Sequence, residues 1–235
     1  MKKHIPNTIT CCNLISGCVA TVFALYGVPE MALLFIILGA VFDFFDGMTA
    51  RVLGVSSPIG KELDSLADDV TFGVAPASIL FSFLGSVDYP SFLEEWRTVI
   101  PFFAFIISAF SALRLAKFNL DTRQTTSFIG LPTPANALFW GSLIVGGGSR
   151  LTQLSYSLPI VLLLVALSCW LLIAELPLFA LKFKQWGWKG NEVKYIFILT
   201  CIPLVLLLGV SGIAIAIAWY VVLSLYANRR APKTH

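Results

Sequence analysis

Residues 40–54 read AVFDFFDGMTARVLG, and residues 56–73 read SSPIGKELDSLADDVTFG. Each stretch adjoins a long apolar run, so its aspartates lie where a membrane helix would end. Asp43 and Asp46 are spaced i,i+3, and Asp64 and Asp68 are spaced i,i+4, so each pair shares one face of a helix. Because the connection between the two helices is short, we expect them to be antiparallel neighbours. The pattern therefore predicts that both carboxylate pairs converge at one end of a helical hairpin.

The composition of the whole chain points to a membrane protein. Of its 235 residues, 57% are hydrophobic and 12% are charged, and the mean hydropathy is +0.85. Soluble domains carry about 25% charged residues. This composition excludes a disordered chain and an ordinary soluble enzyme. The 16 basic residues exceed the 13 acidic ones only slightly, so a nucleic-acid-binding surface is not expected.

Apolar runs long enough to cross a bilayer, about 20 residues each, follow one another along the chain. They predict an all-α, polytopic membrane bundle of about eight transmembrane helices. The last two runs are short and adjoin each other, so a re-entrant hairpin is an alternative there. The eight predicted spans are 9–27, 30–53, 63–86, 98–118, 132–148, 157–181, 194–209 and 211–228.

The distribution of lysine and arginine predicts the orientation of these spans. With the N-terminus in the cytoplasm, 14 of the 16 basic residues lie at cytoplasmic ends, and only Arg97 and Arg150 lie outside. Cytoplasmic loops of membrane proteins carry such an excess of positive charge. We therefore expect a protein of the cell membrane with both termini and the four aspartates facing the cytoplasm.

The four aspartates also predict a metal site. A charged carboxylate at membrane depth costs at least about 2.5 kcal/mol, and four together repel one another unless a cation lies among them. Oxygen ligands favour Mg²⁺, Mn²⁺ or Ca²⁺ over Zn²⁺. The alternative is that the carboxylates are solvated beyond the membrane edge. Asp69 lies off the face shared by Asp64 and Asp68, and it is either part of the site or merely solvated or paired.

Small and basic residues between the aspartates predict an anion site beside the metal. Gly47 and Ala50 let a ligand approach the helix backbone, or else serve helix packing. Arg51 can bind a phosphate through two hydrogen bonds, and Gly60 leaves room at the start of the next helix. A cation, a guanidinium and a helix N-terminus together favour a pyrophosphate ligand.

Taken together, residues 43–68 follow the pattern D-x2-D-G-x2-A-R-x8-G-x3-D-x3-D. This pattern resembles the signature of the CDP-alcohol phosphatidyltransferase family. The resemblance implies a six-helix membrane enzyme that transfers a phosphatidyl group from a CDP-linked lipid to an alcohol and releases CMP. It covers about the first 180 residues, which divides the chain into a membrane core, 1–181, and a basic loop with two additional spans and a cytoplasmic tail, 182–235.

The resemblance also implies roles for individual residues and a homodimer. One or two Mn²⁺ or Mg²⁺ ions would bind Asp43, Asp46 and Asp64. Asp68 would complete the metal site and act as general base on the attacking hydroxyl. The cytidine diphosphate of the lipid would be bordered by Gly47, Ala50, Arg51 and Gly60.

Polar residues near the N-terminus add candidates to the nucleotide site. Asn7, Thr10 and Asn13 are spaced i,i+3,i+6 beside the predicted cytoplasmic surface. We expect Asn7 and Thr10 to contact the CDP-lipid; capping of the first helix is the alternative.

Two further segments indicate the acceptor alcohol. Residues 111–123 read SALRLAKFNLDTR, and residues 127–137 read SFIGLPTPANA. Both resemble the phosphatidylserine synthase branch of the family, as does IPNTITCCNLISG at residues 5–17. The resemblance implies CDP-diacylglycerol and L-serine as substrates, with Arg114, Lys117 and Asn119 at the serine. The alternative for the two basic residues is a role as ordinary cytoplasmic anchors.

Two other functions remain open at this stage. The same chemistry can use glycerol 3-phosphate or an inositol phosphate as acceptor. A divalent-cation transporter also carries carboxylates within the membrane. The aspartates here cluster at one membrane face, which favours the enzyme.

Overall fold

The computed structural model describes residues 4–121, 128–179, 187–188 and 191–230. Within these residues the chain forms nine α-helices and one antiparallel pair of two-residue strands, Phe128–Ile129 and Pro177–Leu178. The helices are α1 (His4–Leu25), α2 (Pro29–Leu53), α3 (Pro58–Asp68), α4 (Ala75–Ser86), α5 (Ile106–Leu120), α6 (Thr133–Thr152), α7 (Ser157–Ile173), α8 (Glu192–Leu208) and α9 (Ser211–Arg230).

The predicted all-α membrane bundle is confirmed. Each of the eight predicted spans contains helix, and five helical segments are long and apolar enough to cross a membrane. The shorter helix α7 is also apolar. The chain is therefore an integral membrane protein. The five segments are His4–Leu25, Pro29–Leu53, Pro58–Ser86, Ile100–Leu120 and Ser211–Asn228.

The break between α2 and α3 follows from three residues of the connection. Gly54 has a φ of 61°, and its N–H donates to the carbonyls of the last turn of α2, which ends that helix. The hydroxyl of Ser57 accepts a hydrogen bond of 3.0 Å from the N–H of Gly60 and caps α3, with Pro58 at the first helical position. The two helices meet at the aspartates, but each packs mainly on α1 and they touch each other little, so the close pairing expected from the short connection is not formed.

The third predicted span, 63–86, is not a uniform α-helix. Asp69–Val74 forms a π-helical turn between α3 and α4. Pro76 follows this turn and has no N–H to donate, so a regular hydrogen-bond ladder cannot pass through it. The turn changes the direction of the side chains that follow Asp68.

The π-helical turn packs closely on α1 and α2. Thr71 is fully buried, and a Cβ on Gly39 would lie 2.5 Å from its methyl carbon. Gly17 of α1 approaches the backbone of Thr71 in the same way. The absence of a side chain at both glycines allows the three segments to meet at the depth of the aspartates.

Helix α7 ends earlier than predicted. It stops at Ile173, and Ala174 is extended, whereas the apolar run continues to 181. Pro177 explains the difference, because proline lacks an N–H and disfavours helix at the residue before it. The chain then forms the short strand that pairs with Phe128–Ile129.

Helices α8 and α9 form a hairpin at the C-terminal end of the described chain. Gly209 turns the chain with a φ of 58°, and α9 packs against α6, where Gly146 closely approaches the backbone of Ser211. Several residues used in the orientation argument lie outside the described residues, as does the division between the two predicted domains. They are Lys2, Lys3, Arg123, Lys182, Lys184, Lys189 and Lys233.

Candidate active site

Three of the four aspartates meet where α2 and α3 approach each other. Carboxylate oxygens of Asp43, Asp64 and Asp68 lie within 4.8 Å of one another. Asp43 comes from the last turns of α2, and the other two lie one turn apart on α3. The helical spacing thus produces the convergence that the sequence predicts.

Asp46 belongs to the same region but has a partner of its own. It is only 6% exposed, and one carboxylate oxygen accepts a hydrogen bond of 2.6 Å from the hydroxyl of Thr10. Asp46 lies outside the group of three oxygens within 4.8 Å. Thr10 therefore fixes the orientation of this carboxylate from α1.

Asn13 holds Asp68 in a similar way. Its amide nitrogen donates a hydrogen bond of 3.0 Å to one oxygen of Asp68, and its backbone carbonyl accepts one of 3.0 Å from the hydroxyl of Thr71. Asn13 is fully buried. The spacing of Asn13 one turn after Thr10 indicated a polar face of α1 but not this contact. Helix α1 thus orients aspartates on both other helices of the site.

The residues present fit a divalent cation. One oxygen of Asp64 is buried and has no hydrogen-bond partner in the described part of the chain. Among the described residues, no lysine or arginine lies within 4.0 Å of the three clustered carboxylates. Converging oxygen donors that lack a counter-charge need a cation, and their chemistry suits Mg²⁺ or Mn²⁺.

A pocket of about 250 Å³ opens beside the aspartates, between α1, the end of α2 and the start of α3. A Cβ on Gly47 would meet no described atom within 4 Å, so the backbone there is accessible. The N-terminal turn of α3 borders the pocket, as a pyrophosphate site requires. Five of the predicted CDP-lipid residues line it: Asn7, Thr10, Gly47, Ala50 and Gly60.

The basic residue at this pocket is Lys61 rather than the predicted Arg51. Arg51 is exposed, its Nε donates a hydrogen bond of 3.0 Å back to the carbonyl of Gly47, and it is not part of the pocket wall. Lys61 lines the pocket directly after Gly60. Its position in the first turn of α3, beside a predicted phosphate site, was the signal that sequence reasoning missed.

The predicted serine residues Arg114 and Lys117 line a second pocket, of about 380 Å³, between the ends of α5 and α7. Arg114 is only 8% exposed and lies over the ring of Phe118, with 5.4 Å from its Cζ to the ring centre. Arg114 thus brings a largely buried positive charge to the wall of the second pocket.

Asn119 occupies a different position from the other two predicted serine residues. Its amide nitrogen donates a hydrogen bond of 2.7 Å to the hydroxyl of Ser65, and its carbonyl accepts one of 2.9 Å from Lys61. These two hydrogen bonds connect the end of α5 to α3. Asn119 is not part of the wall of either pocket.

The fold and the site define a polytopic membrane protein with an acidic metal-type site beside a polar pocket at the helix ends. Residues 3–226 match the model of the CDP-alcohol phosphatidyltransferase family. The chain belongs to this family, whose members depend on a divalent metal and catalyse phosphotransfer. The match confirms the family assigned from the signature over residues 43–68.

Curated relatives match a little more than half of the chain. A Bacillus subtilis protein named CDP-diacylglycerol–serine O-phosphatidyltransferase is 41% identical over 136 residues, which cover 56% of this chain and 70% of that protein. Proteins of the same name from Saccharomyces cerevisiae and Mycobacterium leprae are 39% and 35% identical. The matches cover 56% and 57% of this chain and 50% and 44% of those two proteins, so the chain spans about half of their length.

Proposed function

We propose that this protein transfers the phosphatidyl group of CDP-diacylglycerol to the hydroxyl of L-serine, giving phosphatidylserine and CMP. The observation that carries the proposal is the group of three carboxylates within 4.8 Å beside a pocket of about 250 Å³. The name shared by the relatives from Bacillus, yeast and Mycobacterium supports serine as the acceptor.

The pocket between α1, α2 and α3 holds the cytidine diphosphate in this proposal. Gly47 and Ala50 give the nucleotide access to the helix backbone. The N-terminal turn of α3 borders the negative charge of the diphosphate, and Lys61, which lines the same pocket and donates to the carbonyl of Asn119, supplies the positive charge. Arg51 remains a predicted CDP-lipid residue and reaches the phosphates only if it releases the carbonyl of Gly47.

Asp43, Asp64 and Asp68, together with Asp46, would hold one or two ions of Mn²⁺ or Mg²⁺. A bound divalent ion neutralises the charge that develops on the diphosphate and on the departing CMP. Thr10 and Asn13 keep two of these carboxylates in position from α1.

Asp68 accepts the proton of the serine hydroxyl. The hydroxyl oxygen forms a bond to the phosphorus of the phosphatidyl group, and the bond from that phosphorus to the bridging oxygen of CMP breaks. Because Asn13 fixes one carboxylate oxygen of Asp68, the carboxylate is held in one orientation for this transfer. Arg114 pairs with the serine carboxylate, and Lys117 supplies a second positive charge in the same pocket.

The proposal includes the cellular setting of the enzyme. Both termini and the site face the cytoplasm from the cell membrane, as the distribution of lysine and arginine predicts. The enzyme acts as a homodimer among membrane lipids. Residues 1–181 form the catalytic core, and 182–235 are an addition to it.

The test uses purified full-length protein with CDP-diacylglycerol and a panel of alcohols: L-serine, glycerol 3-phosphate and an inositol phosphate. We expect CMP release and a lipid product with serine, loss of both with excess chelator, and recovery with Mn²⁺ or Mg²⁺. Full turnover in excess chelator would contradict the metal site. A preference for glycerol 3-phosphate would contradict serine as the acceptor and leave the phosphatidyl transfer in place. Mn²⁺ uptake into proteoliposomes without CMP release would favour a transporter.

A further inference from the structure

A set of buried polar atoms lies at the contact between the π-helical turn and α5. The hydroxyl of Ser111, one oxygen of Asp69 and Nε of Arg114 are all buried, and each lacks a hydrogen-bond partner among the described residues. Ser111 is fully buried, and Arg114 is 8% exposed. Buried polar groups are almost always hydrogen-bonded, so three such atoms at one helix contact indicate a missing polar ligand.

The backbone places the three side chains next to one another. A Cβ on Gly73 would lie 2.6 Å from the unpaired oxygen of Asp69 and 3.1 Å from Cβ of Ser111. Asp69 and Ser111 therefore face each other across Gly73. Arg114 lies one turn after Ser111 on α5, on the same helix face.

These atoms adjoin the proposed general base. Asp69 follows Asp68 directly in the chain, and Asp68 lies in the cluster of three carboxylates. A ligand between Asp69 and Arg114 would thus present a hydroxyl near Asp68. Arg114 also borders the 380 Å³ pocket, whose wall includes neither Asp69 nor Ser111, so an acceptor that enters through this pocket meets Arg114 first.

We propose that Asp69, Ser111 and Arg114 form the recognition site for a zwitterionic amino-acid acceptor, with Asp69 binding its ammonium group, Arg114 its carboxylate and Ser111 either group through its hydroxyl. The argument rests on complementary charge. A phosphorylated acceptor presents only negative charge and would be repelled by the carboxylate of Asp69, whereas an amino acid matches one anion and one cation. This inference rests on the proposed function and adds to it Asp69 as the residue that binds the ammonium group.

The experiment compares variants with L-serine and with two acceptors that each lack one of its charges. Ethanolamine lacks the carboxylate, and 3-hydroxypropanoate lacks the ammonium group. CMP release from the full-length protein gives kcat and KM for each acceptor and for CDP-diacylglycerol. The variants are Asp69→Asn, Ser111→Ala and Arg114→Ala, and Glu62→Gln is the control because Glu62 is an exposed carboxylate on α3.

We expect Asp69→Asn to lower kcat/KM for serine and ethanolamine about tenfold to a hundredfold and to leave that for 3-hydroxypropanoate unchanged. Arg114→Ala should lower the values for serine and 3-hydroxypropanoate and spare that for ethanolamine. Ser111→Ala should raise the KM for serine severalfold with little change in the KM for CDP-diacylglycerol. Glu62→Gln should resemble the wild type.

Two results would overturn the inference in different ways. If the wild type uses serine and Asp69→Asn changes all three acceptors equally, Asp69 has a structural role and the recognition site is wrong, while the proposed function stands. If the wild type releases CMP with glycerol 3-phosphate and not with serine, the proposed function fails, and the recognition site fails with it. Because the acceptor pattern compares values within one variant, partial loss of folded protein does not imitate it.

Discussion

The polar residues of two apolar parts of the molecule, the segment Pro58–Ser86 and helix α8, differ in their burial and in their hydrogen-bond partners. In the most apolar part of Pro58–Ser86, 61% of the residues are buried. Asp68 accepts a hydrogen bond from the side chain of Asn13 on α1, and Thr71 donates one to the backbone carbonyl of Asn13. In α8 no described residue is buried, and Thr200 accepts a hydrogen bond of 3.0 Å from Trp219 of the neighbouring α9.

The difference shows where polar groups in an apolar helix carry function. Polar groups in the interior of the bundle are costly, and they remain there because partners from several helices hold them around the carboxylates. The contact between Thr200 and Trp219 joins two neighbouring helices, and neither residue contacts a carboxylate of the site in the described part of the chain. We therefore expect substitutions in the two regions to differ strongly in their effect on catalysis.

The largest effect is expected from Asp64→Asn. The substitution keeps the size of the side chain and removes one of three converging charges, so kcat should fall on the order of 10²–10³-fold. Initial rates of CMP release at saturating substrates measure the change. Glu62→Gln, on the exposed side of the same helix, is the matched control, and a wild-type rate for Asp64→Asn would remove the carboxylate cluster from the mechanism.

The next effect concerns the acceptor. Arg114→Ala should raise the KM for serine by a factor that corresponds to about 1.5–3 kcal/mol, because the serine carboxylate loses a charged hydrogen-bond partner. The KM for CDP-diacylglycerol should change far less. Equal changes in both KM values would indicate that Arg114 supports the fold of the site rather than the acceptor.

A smaller effect is expected at the nucleotide pocket. Lys61→Ala should raise the KM for CDP-diacylglycerol about tenfold, as expected for loss of a charged hydrogen bond. Arg51→Ala should raise it less, because Arg51 is exposed and bonded to the carbonyl of Gly47. A larger effect of Arg51→Ala than of Lys61→Ala would indicate that Arg51, and not Lys61, binds the diphosphate.

Lys61 also fastens α3 to α5, so its substitution needs a control for that contact. Ser65→Ala removes the neighbouring hydrogen bond from Asn119 and leaves the charge of Lys61 in place. We expect Ser65→Ala to keep the wild-type KM for CDP-diacylglycerol and Lys61→Arg to restore most of the affinity. A loss of affinity in Ser65→Ala would assign the effect to the contact between α3 and α5.

The smallest effect is expected in the hairpin formed by α8 and α9. Thr200→Val removes the acceptor for Trp219, and such hydrogen bonds between membrane helices contribute about 0.6 kcal/mol on average. Thermal unfolding in detergent should shift slightly, and kcat and both KM values should stay at wild-type levels. A large loss of activity would mean that the hairpin acts on the site.

The fold class and the family were predictable because their signals are local. Apolar runs report helices that cross a bilayer, and i,i+3 and i,i+4 spacing fixes which aspartates share a face. The comparison with the family model confirms the assignment made from the signature. The roles of the individual site residues stay predictions, although the structure brings most of them together.

Contacts between helices distant in sequence were not predictable in the same way. Asn13 and Thr10 report only a polar face of α1, and nothing in their spacing says that they donate to Asp68 and Asp46. Lys61 and Arg51 are both basic residues near the signature, and only the path of the chain after Gly54 decides which one lines the pocket.

The sequence by itself determined the membrane class, the break between α2 and α3 and the convergence of carboxylates, because these depend on hydropathy and helical period over short distances. The tertiary structure alone decided what surrounds the carboxylates. The π-helical turn before Pro76 places Asp69 close to Gly73 of the same turn and to Ser111 of α5. Because Gly17 and Gly39 have no side chains, Thr71 can approach α1 closely. These arrangements depend on close contact between segments far apart in the chain, which no local pattern of residues specifies.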